Sequence, residues 1–347
     1  MIIDQFHGVF SQGDAIGNNM LAIRDALLSQ GFKSCIFARV GDAPSLNMQE
    51  MQKCYKKEDV LIIHYSLWDE SLKALWDLPC RKIMAYHNIT PKEFFNGYKA
   101  QLYEAAQSGR DKLLEIQPYF DFAFADSSFN AEELSKYGYK DVLVVPITID
   151  TTDFVAHPRP FNQSSPTRIF FIGRIAPNKC FEDIIKSFYF YKKYWDSDAL
   201  LTLIGSWDGL HRYKRALDRL IEKLELKDVV FTGKAPFSRV LKEYRQSDML
   251  LCMSEHEGFC VPLAEAMWME LPIIAYNSSA IAETLGEGGF LVNEKDYAAI
   301  AELMHLLKTN EQLRRSVIEK QKMERGRFSK EKQVEYLQPL LRRIGAI

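Results

Sequence analysis

No two cysteines of this chain have the C-x-x-C spacing of a structural zinc site or a thiol–disulfide centre. The six present, Cys35, Cys54, Cys80, Cys180, Cys252 and Cys260, are scattered over 347 residues. Such usage predicts free thiols in a reduced, cytoplasmic setting. Long apolar runs are absent as well, and nothing approaches the roughly 20 residues needed to cross a bilayer. The opening MIID reads as the start of a strand and lacks the basic-then-apolar order of a secretory leader. Neither sign of charge is in excess: 44 Lys and Arg stand against 46 Asp and Glu, so the basic footprint of a nucleic-acid binder is missing. The G-x-G-x-x-G fingerprint does not follow the first strand, which disfavours a nicotinamide oxidoreductase.

What is present is a globular composition, 47% hydrophobic and 26% charged, on a chain longer than one typical core supports. Short apolar strands are expected over 2–6, 35–40, 60–65, 83–86 and 122–125, and again over 169–172, 200–204, 229–232, 249–253, 273–276 and 288–292. Helical segments separate them, beginning with 15–30 and including 92–119. That alternation predicts parallel sheets covered on both faces. Residues 150–167, rich in Pro, Ser and Thr and without apolar periodicity, form the expected boundary between two domains.

The chain is organised around DMLLCMSEHEGFCVPLAEAMWMELPIIAY, residues 248–276. Its apolar start reads as a buried strand, and 255–259 as a short loop carrying two carboxylates and a glycine. Pro262 suits the first turn of a helix that Pro272 must end. A loop at the carboxyl end of a parallel strand is where ligands bind, and the following helix start offers N–H groups to an anion. Glu257 and Glu265, seven residues apart in between, would repel phosphate but accept hydrogen bonds from a sugar or ribose diol. Phosphate on the loop amides and hydroxyls on the two acids describe a nucleotide sugar.

Glu257, Gly258, Phe259, Pro262, Glu265 and Ala266 resemble the E-x7-E motif of retaining GT-B-fold glycosyltransferases, glycosyltransferase family four (group 1). Cys260 stands where that family more often has a small residue, usually Gly. The resemblance implies an α/β fold of two Rossmann-like parallel-sheet domains facing a central cleft. An acceptor-side domain would span 1–160, a donor domain 161–327, and a terminal helix over 328–347 would cross back to the first. It implies that Arg174 and Lys179, after the glycine turn at Gly173, hold the donor diphosphate, so that no metal cofactor is required. The turn with Lys234 would hold the nucleobase, Glu257 would position the donor sugar, and Glu265 would hold the ribose. Gly258, Phe259, Cys260 and Val261 would line the donor site. In the first domain, Gly13 and Asp14 would border the diphosphate and the acceptor, and His87, at a strand end in YHNITP, would sit beside the donor sugar. Ser128 or Asn130 is the expected cap of the helix that follows 122–125.

The implied activity is transfer of a sugar from GDP-mannose or a UDP-sugar to a hydroxyl of a glycan or lipid-linked glycan, as in surface-polysaccharide synthesis. Glu257, His87, Arg174 and Lys179 would carry the chemistry, and the resemblance favours front-side attack assisted by a donor phosphate oxygen. Two alternatives stay open: a nucleotide-sugar epimerase or hydrolase of the same fold, and a non-catalytic nucleotide-sugar binding protein. Asp196 and Asp198 read as solvated surface and not as a metal site. The basic tail over 320–343 reads as a helix with a leucine face, either packed on the protein or touching the inner face of the membrane.

Overall fold

The computed structural model describes residues 1–51, 55–156 and 160–347; Cys54 and the 157–159 part of the expected linker lie outside them. Contacts divide the chain into two units. One comprises Met1–Lys92, Gln101–Asp150 and Arg327–Ile347, the other Glu93–Ala100 and Thr151–Gly326.

The first unit runs β1 (Ile3–Phe10), α1 (Ala15–Ser29), β2 (Ile36–Gly41), β3 (Leu46–Asn47), β4 (Val60–Tyr65) and β5 (Arg81–Tyr86), followed by α2 (Ala100–Ile116), β6 (Phe122–Ala125), α3 (Ser128–Lys136) and β7 (Leu143–Val144). Its seven strands pair in the order β3-β2-β1-β4-β5-β6-β7, all in parallel. Every residue of β4, VLIIHY, is buried, because helices cover both faces of such a sheet. The first strand outruns the expected 2–6: Val9 and Phe10 stay in register with Val40 and Gly41 of β2. The expected helix over 92–119 is interrupted. Lys92–Phe95 makes only a short 3-10 turn, Gly97 takes φ +76°, and regular helix begins at Ala100. The cap of α3 is Ser127, whose hydroxyl accepts from the Asn130 amide; Ser128 and Asn130 lie inside the helix.

The second unit runs β8 (Arg168–Ile172), α4 (Phe181–Tyr194), β9 (Leu200–Ile204), α5 (His211–Lys223), β10 (Val229–Gly233), α6 (Phe237–Gln246) and β11 (Met249–Cys252). It continues with α7 (Val261–Trp268), β12 (Ile273–Tyr276), α8 (Ile281–Leu285), β13 (Phe290–Val292), α9 (Tyr297–Thr309) and α10 (Glu311–Arg325). The strand order β10-β9-β8-β11-β12-β13 is the doubly wound arrangement, and the winding reverses between β8 and β11. The loops leaving those two strands therefore flank a topological switch point, the usual ligand crevice of such sheets. Asp196 has a local structural task, accepting from the Thr167 and Asp198 amides.

The tail is not one helix. A 3-10 turn over Gly326–Phe328 separates α10 from α11 (Lys332–Arg343), and α11 packs with the first unit. Leu337, Leu340 and Leu341 join Ile23, Leu27 and Ile62 in one buried cluster, and the Thr148 hydroxyl donates to Gln333 at 2.7 Å. The leucine face of α11 is thus covered by protein.

Candidate active site

At the end of β8 the chain turns through Gly173 and Arg174. Gly205, at the end of β9, has φ +152°, and a Cβ there would meet the Gly173 carbonyl oxygen at 1.8 Å. Only glycine lets these two backbones approach so closely. The Ile175 amide donates to Ser206 and the Gly205 amide to Gly233, so the loops after β8, β9 and β10 are tied edge to edge. Arg174 is exposed on this rim and reaches the Asp208 carbonyl at 3.4 Å. Although its tip is open to solvent, the protein packed around it partly desolvates the guanidinium and holds it below the ordinary value, with Asp208 opposing. Lys234 is exposed just past β10.

Lys179 ends a 3-10 turn over Pro177–Lys179, and its ammonium donates to both oxygens of Glu257, at 2.5 and 2.6 Å. Burial pulls this ammonium down, but the Glu257 carboxylate more than compensates and holds it above the ordinary value. The loop that presents Glu257 is fixed from several sides. Asn178 donates to the His256 carbonyl, the Glu257 amide donates to Ser279, and the Ser278 hydroxyl donates to the Ser254 carbonyl. Phe259 and Cys260 are buried. Cys260 caps α7 with φ +75° and ψ +64°, the left-handed region where glycine is free of strain. That conformation explains the preference for Gly at this position. Val261 and Pro262 open α7, whose first turn no side chain caps; Pro262 has no N–H and the Leu263 amide donates to the Cys260 carbonyl, so the Val261 amide is the one placed to meet an anion.

Glu265 lies one turn further along α7, half-buried, and accepts from the Tyr244 hydroxyl at 2.6 Å. Burial raises its carboxyl above the usual range, and the Tyr244 bond only partly offsets this. Of the second unit's expected residues, Lys179 and Glu257 are in direct contact. Arg174 and Glu265 are held by Asp208 and Tyr244. Tyr244, Asn178 and Ser279 have no motif of their own in the sequence; Tyr244 had only its place on an amphipathic helix to mark it.

In the first unit Gly13 has φ +87°, and its amide donates to Asn18. Asp14 is the cap of α1, accepting from the Gly17 amide at 2.6 Å. The carboxylate expected beside a ligand thus serves the start of a helix.

His87 is buried, and both of its ring nitrogens have protein partners. Its side chain is 2% exposed, with Nδ1 2.8 Å from the Asp126 carboxylate and Nε2 2.7 Å from His64 Nδ1. His64 Nε2 is in turn 2.9 Å from Gln5 Oε1, while Gln5 Nε2 donates to the Met20 carbonyl. Burial, then His87 and His7, hold His64 well below its ordinary value, so its ring is neutral. Since Gln5 Oε1 can only accept, His64 donates from Nε2 and accepts at Nδ1. His87 then donates from Nε2 to His64, and its Nδ1 is bonded to Asp126. Neither ring nitrogen is left for a sugar hydroxyl in this arrangement. The signal for this chain was available, since His64 and His87 both end strands and β4 and β5 are adjacent, but only the register puts His64 beside Ala85 and the rings in reach.

Residues 156–324 match the family profile of glycosyl transferases, group 1. Among curated relatives, the O-antigen chain mannosyltransferase RfbU of Salmonella typhimurium is 29% identical over 157 residues, covering 45% of this chain and 41% of RfbU. The capsular polysaccharide biosynthesis glycosyltransferase CapM of Staphylococcus aureus is 28% identical over 160 residues, 43% of this chain and 38% of CapM. The matches thus span about two fifths of those relatives. Among solved structures, Alr3699/HepE of Anabaena in complex with UDP and glucose aligns over 100% of both chains at TM-score 0.76 and 14% identity. The sucrose-phosphate synthase of Thermosynechococcus elongatus aligns over 99% of both at 0.73 and 16%. The chain has the GT-B fold, and its residues 156–324 carry a glycosyl transferases group 1 domain.

Proposed function

We propose that this protein transfers a sugar, with retention of anomeric configuration, from a nucleoside diphosphate to a hydroxyl of a glycan or lipid-linked glycan. The observation that carries the reading is the Lys179–Glu257 pair beside the switch point of the second unit. An ammonium has three protons. Two go to Glu257, and the third can serve a donor phosphate. Glu257 keeps lone pairs for sugar hydroxyls, and Arg174 and the start of α7 supply the remaining charge for the departing diphosphate. Two fixed cations and a helix start can neutralise that group without a metal. Surface-polysaccharide synthesis is favoured by the names of RfbU and CapM, and the complexes of Alr3699/HepE with UDP-glucose make a UDP-sugar as good a candidate donor as GDP-mannose.

A thermal-shift screen of UDP-, GDP-, ADP- and TDP-sugars identifies the donor, because a ligand bound only by the folded state raises apparent stability. The cognate nucleoside diphosphate should also slow proteolysis within 151–326 more than within 1–150. Equal protection of both would count against a donor site confined to the second unit. Anomeric analysis of the product, with and without acceptor, separates retaining transfer from epimerisation or hydrolysis.

Glu265 makes the affinity for the nucleoside pH-dependent. A carboxylate is needed to accept both ribose hydroxyls, and this carboxyl is raised by burial, so affinity should fall on acidification at a pH above the ordinary glutamate range. The same raised value makes the group's contribution to stability greatest below its unfolded value and lost as pH climbs to the folded one. Tyr244→Phe removes the bond that lowers Glu265, and should move the acid limb of nucleoside-diphosphate binding to higher pH. A titration series in which the limb stays in place would remove Glu265 from the ribose site.

A further inference from the structure

The proposed transfer uses neither of two sulfurs beside Glu257. Cys252 ends β11 and Cys260 caps α7; both are buried, and their Sγ atoms are 3.9 Å apart. A ligand oxygen of Glu257 and these two sulfurs all lie within 4.8 Å of one another. Tetrahedral zinc, with Zn–S bonds of about 2.3 Å, sets two thiolates about 3.8 Å apart. The two sulfurs already stand at that spacing. A carboxylate oxygen in the same tetrahedron, already within 4.8 Å of both sulfurs, needs to approach by at most about 1 Å, a side-chain adjustment. Charge also closes: two thiolates, the Glu257 carboxylate, the Lys179 ammonium and a divalent cation sum to zero, as burial demands. The fourth position falls to water.

We propose that Cys252, Cys260 and Glu257 form a site for a thiophilic divalent cation such as zinc or cadmium, and that its occupation withdraws Glu257 from the donor sugar and arrests transfer. Binding releases the two thiol protons to solvent as two metal–sulfur bonds form, with no change of oxidation state. The inhibitory half rests on the function proposed above; the binding half does not.

Cobalt(II) added to the reduced 347-residue chain is the probe. The expected result is one ion per chain, with sulfur-to-cobalt charge-transfer bands, tetrahedral visible bands, two protons released, and displacement by zinc. Cys260→Gly should fold, since φ +75° suits glycine, and its melting curve checks this. It should lose the sulfur bands, as should Cys252→Ala. Cys35 is an exposed thiol, and Cys35→Ser should leave the bands intact. Zinc should lower wild-type turnover roughly tenfold or more, but leave Cys252→Ala at its own metal-free rate. An octahedral cobalt spectrum, bands that survive Cys260→Gly, or bands lost in Cys35→Ser would overturn the site. Binding without loss of turnover overturns the withdrawal of Glu257, whereas a metal-free wild type with no transfer to any acceptor counts against the proposed function and not the site.

Discussion

Lys179→Ala should lower turnover roughly a hundredfold or more, the equivalent of about 3 to 4 kcal/mol in the barrier. Two losses add. The departing diphosphate no longer meets a cation where its charge develops, and the Glu257 carboxylate, bonded through both oxygens to that ammonium, is left uncompensated beside an anion. The fall should therefore appear in kcat, with the nucleoside diphosphate still binding through Arg174 and the start of α7. Lys179→Arg restores the charge but not its shape, because a planar fork cannot bridge a carboxylate and a phosphate as a point charge does; partial recovery is expected. Steady-state kinetics of both variants with the cognate donor decide the matter. A rate within a few-fold of the parent in Lys179→Ala would remove this lysine from the chemistry.

Asp126→Ala should destabilise the first unit by roughly 1 to 3 kcal/mol, the usual cost of leaving a buried hydrogen-bonding group without its partner. The Asp126 carboxyl, 3% exposed, lies 2.8 Å from His87 Nδ1, and His87 Nε2 is held in turn by His64. Asp126→Asn keeps a polar group against Nδ1 and should cost less than alanine. Denaturant unfolding of the two variants gives the comparison. Losses below about 0.5 kcal/mol in both would contradict a buried bonded pair.

Much of the second unit was readable because its chemistry is local in the chain. The strand–loop–helix of 248–276 announces itself through an apolar run, two acids at fixed spacing and a proline pair. The glycine turn with Arg174 and Lys179 sits directly after a strand. Less was readable where backbone conformation or register decides. Gly97 breaks the 92–119 segment, and Ser127 replaces the expected caps through the angle at which the chain enters α3. The capping role of Asp14 was not separable in the sequence from a binding role, because both use the same side-chain types.

The order of residues alone determined the strands, the alternation that makes their sheets parallel, and the acid and base types gathered after β8 and β11, since each depends on neighbours a few positions away. Tertiary structure decided who bonds to whom: Lys179 with Glu257 across 78 positions, Tyr244 with Glu265, and His87 with His64 and Asp126. Such pairings follow from strand order and register, which bring distant side chains within 3 Å, and no local pattern encodes them.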